Sequence, residues 1–226
     1  MGEAVREINR HDFVFVNGSG RLYAFGNSKE DCGEAWIPHL EELILGRCGQ
    51  WPIPAIVRRQ DHPGKGMLQV GWSSWLRDSG SRFRIASAVP LSSVDTLLSP
   101  YQVFERNERW PEAFRGLLGE LRDLGETLGI SLGLAGAAAM EALTGLPYLH
   151  QDSDLDLLVR EKDGGKLQEF YAACTALSGR WGRKLDLELQ LPGGRGVKLA
   201  EWLSDQRTVL VKGWDYAGIF ERKELI

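Results

Sequence analysis

Ser153-Asp154-Leu155-Asp156-Leu157-Leu158-Val159 has the residue alternation of a β-strand. Because successive side chains of a strand point to opposite faces, Asp154 and Asp156 share one face and Leu155 and Leu157 share the other. Two carboxylates about 7 Å apart on one face of an apolar strand repel each other and resist burial. A divalent cation removes that penalty, and Mg²⁺ prefers carboxylate, phosphate and water oxygens as ligands. The stretch therefore predicts a strand that carries a magnesium site.

The same alternation recurs at Lys184–Leu189, where Asp186 and Glu188 share a face and the leucines share the other. If the two strands are neighbours, three or four carboxylates surround one point. That arrangement suits metal-assisted phosphoryl or nucleotidyl transfer. The alternative is an edge strand whose polar face is simply solvated.

A glycine turn precedes the first carboxylate pair. Leu132–Leu134 reads as the end of a strand, and Gly136 leads into a helix that starts near Ala137. Backbone amides at such a helix start can bind a phosphate group, and a glycine lets that group approach. The alternative is a tight strand-to-helix turn in which the small alanines serve only packing.

Composition bounds the class of protein. The chain has 226 residues, 43% of them hydrophobic and 26% charged, which is typical of a globular protein. Its net charge of −4 argues against a nucleic-acid-binding protein, and no apolar run is long enough to span a membrane. Met1–Arg10 lacks an apolar signal core, so we expect no secretory signal. The three cysteines are scattered, which predicts neither a zinc site nor disulfides and favours the cytoplasm.

The two halves of the chain differ in pattern. Residues 1–92, rich in Gly, Pro and Trp, predict a small β-rich domain, and residues 93–226 predict a second domain with a mixed sheet flanked by helices. The expected fold class is α+β. Within the first half we predict a β-hairpin of Phe13–Val16 and Arg21–Phe25. Leu91–Arg109 is predicted to be a linker or a loose helix.

Further elements follow from the same patterns. Predicted strands are Ala55–Val57, Met67–Trp72, Arg82–Val89, Ile130–Leu134, Lys184–Leu191 and Thr208–Lys212. Predicted helices are Ile37–Leu45, 114–128, Ala137–Leu143 and 167–177. Residues 47–84 hold seven basic residues against two acidic ones, a net charge of +5. That segment is either a solvated strand face or a surface that attracts phosphate groups.

These motifs together resemble a known family. Strand, glycine turn, helix, Asp-x-Asp strand and a later third acid resemble the nucleotidyltransferase superfamily of the DNA polymerase β type. Gly136–Leu149 followed by Ser153–Leu158 resembles the holo-acyl-carrier-protein synthases of malonate decarboxylase, also called phosphoribosyl-dephospho-CoA transferases. Looser matches to that family are Arg10–Asp12, Val57–Arg59, Leu185–Leu189 and Val209–Lys212.

The resemblance implies a nucleotidyltransferase-like catalytic domain and a specific reaction. Such enzymes use triphosphoribosyl-dephospho-CoA as donor and the apo acyl carrier protein of malonate decarboxylase as acceptor partner, and they release pyrophosphate. Mapped onto this chain, Asp154 and Asp156 hold Mg²⁺. Asp186 is the third carboxylate, which either binds a second metal or accepts the serine proton, and Glu188 replaces it if the strand register shifts by two. The substrate-binding residues implied are Gly136, Ala137, Ser153, Glu188, Lys184, Lys212, Arg58 and Arg59.

One position departs from the superfamily pattern, which has serine where this chain has Ala137. Two other functions stay open, and Ala137 favours the second of them. One is a nucleotidyltransferase that uses an ordinary nucleoside triphosphate, and the other is a catalytically silent module that binds the carrier or the donor. His150 is either a general base or, as we favour, a surface loop residue.

Overall fold

The computed structural model describes residues 7–49, 51–61, 64–78 and 81–225, with only the backbone at residues 78 and 81. The first six residues of the segment on which the signal-peptide expectation rests lie outside this part. The contacts of the chain group into two units. One comprises Met1–Ser73 and Arg84–Ser99, and the other comprises Ser74–Phe83 and Pro100–Ile226. The predicted division after residue 92 stays a prediction.

The first unit contains a sheet in the order β6-β5-β4-β1-β7. Its strands are β1 (Phe13–Val16), β4 (Ala55–Val57), β5 (Met67–Asp78), β6 (Ser81–Pro90) and β7 (Val94–Leu98), and the far ends of β5 and β6 belong to the second unit. The unit also holds α1 (Gly18–Lys29), α2 (Ile37–Leu45) and the short strands β2 (Arg47–Cys48) and β3 (Trp51–Pro52). Apolar side chains of the strands, with Trp72 fully buried, form its core.

The predicted hairpin near the N-terminus is wrong, because Gly18–Lys29 forms α1 instead of a second strand. Asn17 caps this helix: its side chain accepts a hydrogen bond from the Gly20 amide at 3.0 Å. Strand β1 pairs with β4 and β7, so it needs no hairpin partner. An asparagine before a glycine fits both a turn and a helix start, and the cap decides between them here.

The predicted linker over Leu91–Arg109 is wrong for its central part. Val94–Leu98 is strand β7, which pairs antiparallel with β1 from Phe13 to Val16. A short helix, α3 (Pro100–Glu105), follows directly. Prolines lie at the ends of regular elements here: Pro90 is the last residue of β6, and Pro100 is the first residue of α3. They do not mark a flexible connection.

The second unit contains a mixed sheet in the order β13-β12-β11-β10-β9-β8. Its strands are β8 (Ser131–Leu134), β9 (Leu155–Arg160), β10 (Leu185–Leu191), β11 (Arg195–Lys198), β12 (Thr208–Lys212) and β13 (Ala217–Glu221). Its longer helices are α4 (Arg115–Leu128), α5 (Gly136–Thr144) and α6 (Gly164–Trp181), with a short α7 (Leu199–Leu203). Strands β9 and β10 run parallel and are joined through α6, whereas the other pairs are antiparallel.

The fold class is α+β, as predicted from the sequence, and most predicted elements are confirmed to within a few residues. Helix α4 ends before Gly129, which adopts the left-handed conformation with φ 70°. Strands β11 and β13 and helix α7 were not predicted. No helix in the described ranges is both long and apolar enough to cross a membrane.

Candidate active site

The two acidic strands are neighbours, as the sequence predicted. Strands β9 and β10 pair in a parallel register that sets Asp186 opposite Asp156 and Leu187 opposite Leu157. The leucines are buried, and the two aspartates on the opposite face are half-buried. Because Glu188 lies opposite Leu158, the register selects Asp186 rather than Glu188 as the acid beside the first pair.

The start of α5 lies against Asp156. The Ala135 amide donates to the Asp156 carbonyl at 3.0 Å, and Gly136 adopts a left-handed φ of 59°. A Cβ atom at Gly136 would overlap the Asp156 carboxylate, so only glycine fits this position. Among the described residues, no side chain caps the first turn of α5. The first turn of α5 therefore lies beside an acid of β9, and no described side chain occupies its amides.

Asp154 and Lys184 form an ion pair at the edge of this group. Both residues immediately precede their strands, and Lys184 Nζ lies 2.6 Å from Asp154 Oδ2. The hydrogen bond to Asp154 and the negative charge of that carboxylate raise the pKa of the Lys184 ammonium. The lysine thus stays charged throughout the physiological pH range, although both side chains are well exposed and the pair adds little to stability.

Lys198 is a residue of the site that the sequence analysis missed. Strand β11 lies antiparallel to β10, and the Lys198 ammonium contacts both carboxylate oxygens of Asp186. The sequence signal for strand β11, which carries Lys198, was weak, because the strand is only four residues long and follows Pro192–Gly194. Such a turn after an alternating strand is nevertheless a cue for a returning strand.

Glu188 follows Asp186 on the same face of β10, and its side chain is buried. Its side chain accepts from Lys212 Nζ at 3.2 Å, and the residue is only 9% exposed. Gly196 of β11 leaves room for it, because a Cβ there would overlap the Glu188 carboxylate. Lys212 was predicted to neutralise pyrophosphate, and the structure places it on this acid. The pairing gives a buried carboxylate the partner that it needs.

The remaining predicted residues make other contacts. Arg58 and Arg59 belong to the first unit, where Arg59 forms an ion pair with Asp61. Ser153 accepts a hydrogen bond from the His150 amide at 2.9 Å and closes the turn before β9. His150 is exposed, and partial burial together with two arginines lowers the pKa of its imidazole. The substrate roles of Arg58, Arg59 and Ser153 stay predictions.

The acids and lysines can bind phosphate and a cation. No group of three or more His, Cys, Asp or Glu side chains in the described ranges already surrounds a metal position. Asp154 and Asp156 nevertheless supply carboxylate oxygens at the beginning of β9, with Asp156 next to the start of α5, and this donor chemistry fits Mg²⁺ when phosphate and water complete its shell. The third acid, Asp186, is held by Lys198.

Comparison with known proteins gives a consistent result. Residues 101–223 match the family model described as "Phosphoribosyl-dephospho-CoA transferase MdcG C-terminal domain". The chain is 32% identical over 175 residues to a phosphoribosyl-dephospho-CoA transferase of Pseudomonas aeruginosa, covering 72% of this chain and 74% of the relative. It is 33% identical over 180 residues to that of Pseudomonas syringae pv. tomato, covering 72% and 78%. A Bradyrhizobium diazoefficiens relative of the same description is 26% identical over 222 residues, covering 98% and 93%. No solved structure matches the chain.

Proposed function

Because this chain belongs to the phosphoribosyl-dephospho-CoA transferase family, we propose that it attaches the phosphoribosyl-dephospho-CoA group to a serine of the apo acyl carrier protein of malonate decarboxylase. The donor in this proposal is 2′-(5″-triphosphoribosyl)-3′-dephospho-CoA, and the second product is pyrophosphate. One observation carries the proposal: the register that sets Asp186 opposite Asp156, beside the start of α5. It joins carboxylates and phosphate-binding amides at one end of the sheet, as in a nucleotidyltransferase-like domain.

The reaction is a substitution at phosphorus. The acceptor serine oxygen forms a bond to the phosphorus nearest the ribose, and the bond from that phosphorus to the bridging oxygen breaks. The electron pair of that bond leaves with pyrophosphate, and the serine proton passes to a base. We assign the base to Asp186, because it lies opposite Asp156 on the same face of the strands and is half-buried rather than enclosed. Lys198 holds the Asp186 carboxylate in place.

The outer phosphates of the donor bind at the start of α5. The amides of Gly136 and Ala137 lie in the first turn of this helix, where the helix dipole favours negative charge. Lys184 and Lys212, which pair with Asp154 and Glu188, are the lysines that would supply positive charge to the phosphate oxygens. Ala137 lacks the serine hydroxyl of the superfamily pattern, but its backbone amide is unaffected by that replacement.

A magnesium ion fits the first acid pair. Asp154 and Asp156 would hold it, and it would neutralise charge on the phosphate oxygens and act as a Lewis acid. Without such charge neutralisation, the two carboxylates would repel the triphosphate. We further propose a cytoplasmic location, because the three cysteines are scattered along the sequence and form no disulfide framework in it.

Ala137 favours one second candidate, a catalytically silent module that binds the donor or the carrier. This side chain is 6% exposed and offers only a methyl group where the superfamily has a hydroxyl. The two functions differ in whether pyrophosphate is released.

A pyrophosphate-release assay with Mg²⁺, the apo carrier protein and the triphosphoribosyl donor tests the proposal. Release that needs both the carrier and this donor supports the transferase. Donor binding without release indicates the silent module. Release from ATP in place of the specific donor would indicate a generic nucleotidyltransferase.

A further inference from the structure

The loop between α5 and β9, residues 145–154, ends on one of the two acids assigned to the cation. Asp154 is the residue just before β9, which begins at Leu155. Asp156, by contrast, lies within β9, where the register with Asp186 fixes its place. The position of the Asp154 carboxylate therefore depends on how the loop is held. We call residues 145–154 the acid loop.

Two side chains from different elements bind a single peptide group of the acid loop. The Arg82 guanidinium of β6 donates to the Tyr148 carbonyl at 2.7 Å. The Glu141 carboxylate of α5 accepts from the Leu149 amide at 2.9 Å. This carbonyl and this amide belong to the same peptide group, which we call the anchored peptide. Because a trans peptide points its C=O and N–H in opposite directions, the two side chains hold it from opposite sides.

Packing of the Tyr148 side chain orients the anchored peptide further. The Tyr148 ring is fully buried, and the Trp75 ring of β5 meets it edge-on with ring centroids 6.1 Å apart. The Arg82 guanidinium lies 5.8 Å from the centre of the same ring. Arg82 thus contacts both the ring and the backbone of one residue. Charge-assisted hydrogen bonds in such a packed setting fix geometry more firmly than exposed ion pairs do.

A closed turn joins the anchored peptide to Asp154. The His150 amide donates to Ser153 Oγ at 2.9 Å, and the Ser153 amide donates to the His150 carbonyl at 3.0 Å. The Leu155 amide then donates to the Lys184 carbonyl at 2.9 Å, where β9 begins. Because the turn is closed by its own hydrogen bonds, a short ordered segment connects the anchored peptide with the acid.

Two of the residues that hold the acid loop lie outside the segment that the family model matches. That segment covers residues 101–223, whereas Trp75 and Arg82 precede it. Both nevertheless belong to the same contact unit as the acid loop, because this unit comprises Ser74–Phe83 together with Pro100–Ile226. The far ends of β5 and β6 therefore complete the unit that carries the acids.

We infer that Arg82 and Glu141 are positioning residues of the active site, an inference that rests on the proposed function. By fixing the anchored peptide, they fix the acid loop that ends on Asp154. The loop then keeps the Asp154 carboxylate where it can share a cation with Asp156. Both residues act through Asp154 rather than on the donor. Partners outside the ligand shell commonly orient metal ligands in this way.

Binding of Mn²⁺ to the full chain, read from the EPR signal of the free ion, tests the inference without a transfer step. We expect Arg82→Met and Glu141→Met to raise the Mn²⁺ dissociation constant about tenfold, because each removes a partner that orients a ligand. Arg82→Lys and Glu141→Gln should stay within about threefold of the wild type, since they keep a donor for the Tyr148 carbonyl and an acceptor for the Leu149 amide. Arg84→Met, at an exposed position of β6, is the matched control for loss of an arginine.

Two results would overturn the positioning role alone. One is wild-type Mn²⁺ affinity in folded Arg82→Met and Glu141→Met. The other is an equal loss of affinity in Glu141→Gln and Glu141→Met, which would assign the effect to charge rather than to the hydrogen bond. If Arg82→Met does not fold, the two Glu141 variants decide. A wild-type protein that binds Mn²⁺ no better than Asp156→Asn would instead overturn the cation site of the proposed function, and the inference with it.

Discussion

Asp156 connects the start of α5 with strand β10. Its carbonyl accepts from Ala135, its carboxylate lies against Gly136, and its neighbour across the strands is Asp186. Under the proposed function, this side chain would contribute to both phosphate binding and cation binding. The sequence predicted Asp154, Asp156 and Asp186 because alternation with leucine fixes their face.

Replacing Asp156 with asparagine should abolish transfer while the fold stays intact. The substitution keeps the size of the side chain but removes the charge that balances a cation and its phosphates. We expect kcat/KM to fall by at least roughly a thousandfold, since such charge stabilisation amounts to several kcal/mol. Pyrophosphate release measures this effect. Asp152→Asn, at an exposed position two residues before Asp154, should leave the rate unchanged. Near-normal release by the Asp156 variant would refute the assignment.

Gly136→Ala should damage both stability and activity. The new Cβ would overlap the Asp156 carboxylate, and a left-handed backbone is strained for alanine. We expect the free energy of unfolding to fall by at least about 1–2 kcal/mol, measured by urea denaturation. Gly119→Ala is the matched control, because that helical position of α4 has open space around it. It should raise stability by up to about 1 kcal/mol. Equal stability of the two variants would contradict the packing described for Gly136.

Lys198→Met should lower kcat by about tenfold or more, because Asp186 loses the ammonium that positions it. Lys198 is a positioning residue, so Lys198→Arg should recover much of the rate by keeping the charge. Lys162→Met, at an exposed position after β9, serves as a control. If both Lys198 variants behave alike, or if neither changes kcat, the charge of Lys198 plays no part in positioning Asp186.

At the scale of elements, α3 is joined to the sheet by a polar contact. Tyr101 Oη donates to Gln190 Oε1 at 2.9 Å, and the Arg160 guanidinium lies 4.2 Å from the centre of the Tyr101 ring. Burial raises the pKa of the Tyr101 phenol to about 12. Helix α3 thereby bounds one side of the sheet face that carries the acids, since Gln190 follows Glu188 at the next position of that face.

Tyr101→Phe should lower the free energy of unfolding by about 1 kcal/mol at neutral pH. The stabilising contribution of the phenol is complete below pH 10, and it is lost as the pH rises toward 12, because the unfolded tyrosine ionises first. The variant should therefore lose less stability than the wild type over this range. Urea denaturation at pH 8, 10 and 11 tests this, with the exposed Tyr23→Phe as control. Parallel curves for wild type and variant would contradict the burial of Tyr101.

At the scale of the whole molecule, the sequence predicted the order of elements better than their pairing. Periodicity identified α4, β9 and β10, because their apolar faces follow simple rules. The sequence pattern misassigned α1, because an asparagine before a glycine is compatible with both a hairpin turn and a helix start. It also missed β7, whose strand conformation depends on pairing with β1. Lys198 escaped notice for the same reason, since its contact with Asp186 depends on tertiary pairing.

The central claim is transfer of the prosthetic group to a carrier serine, and intact-mass spectrometry of the carrier tests it most directly. The apo carrier of malonate decarboxylase would be incubated with this protein, Mg²⁺ and triphosphoribosyl-dephospho-CoA, beside a reaction with ATP as the sole donor. Our account predicts a mass gain equal to the phosphoribosyl-dephospho-CoA group with the specific donor, none with ATP, and none when the acceptor serine is replaced by alanine. An unchanged carrier mass with the specific donor, or a nucleotide adduct with ATP, would contradict it.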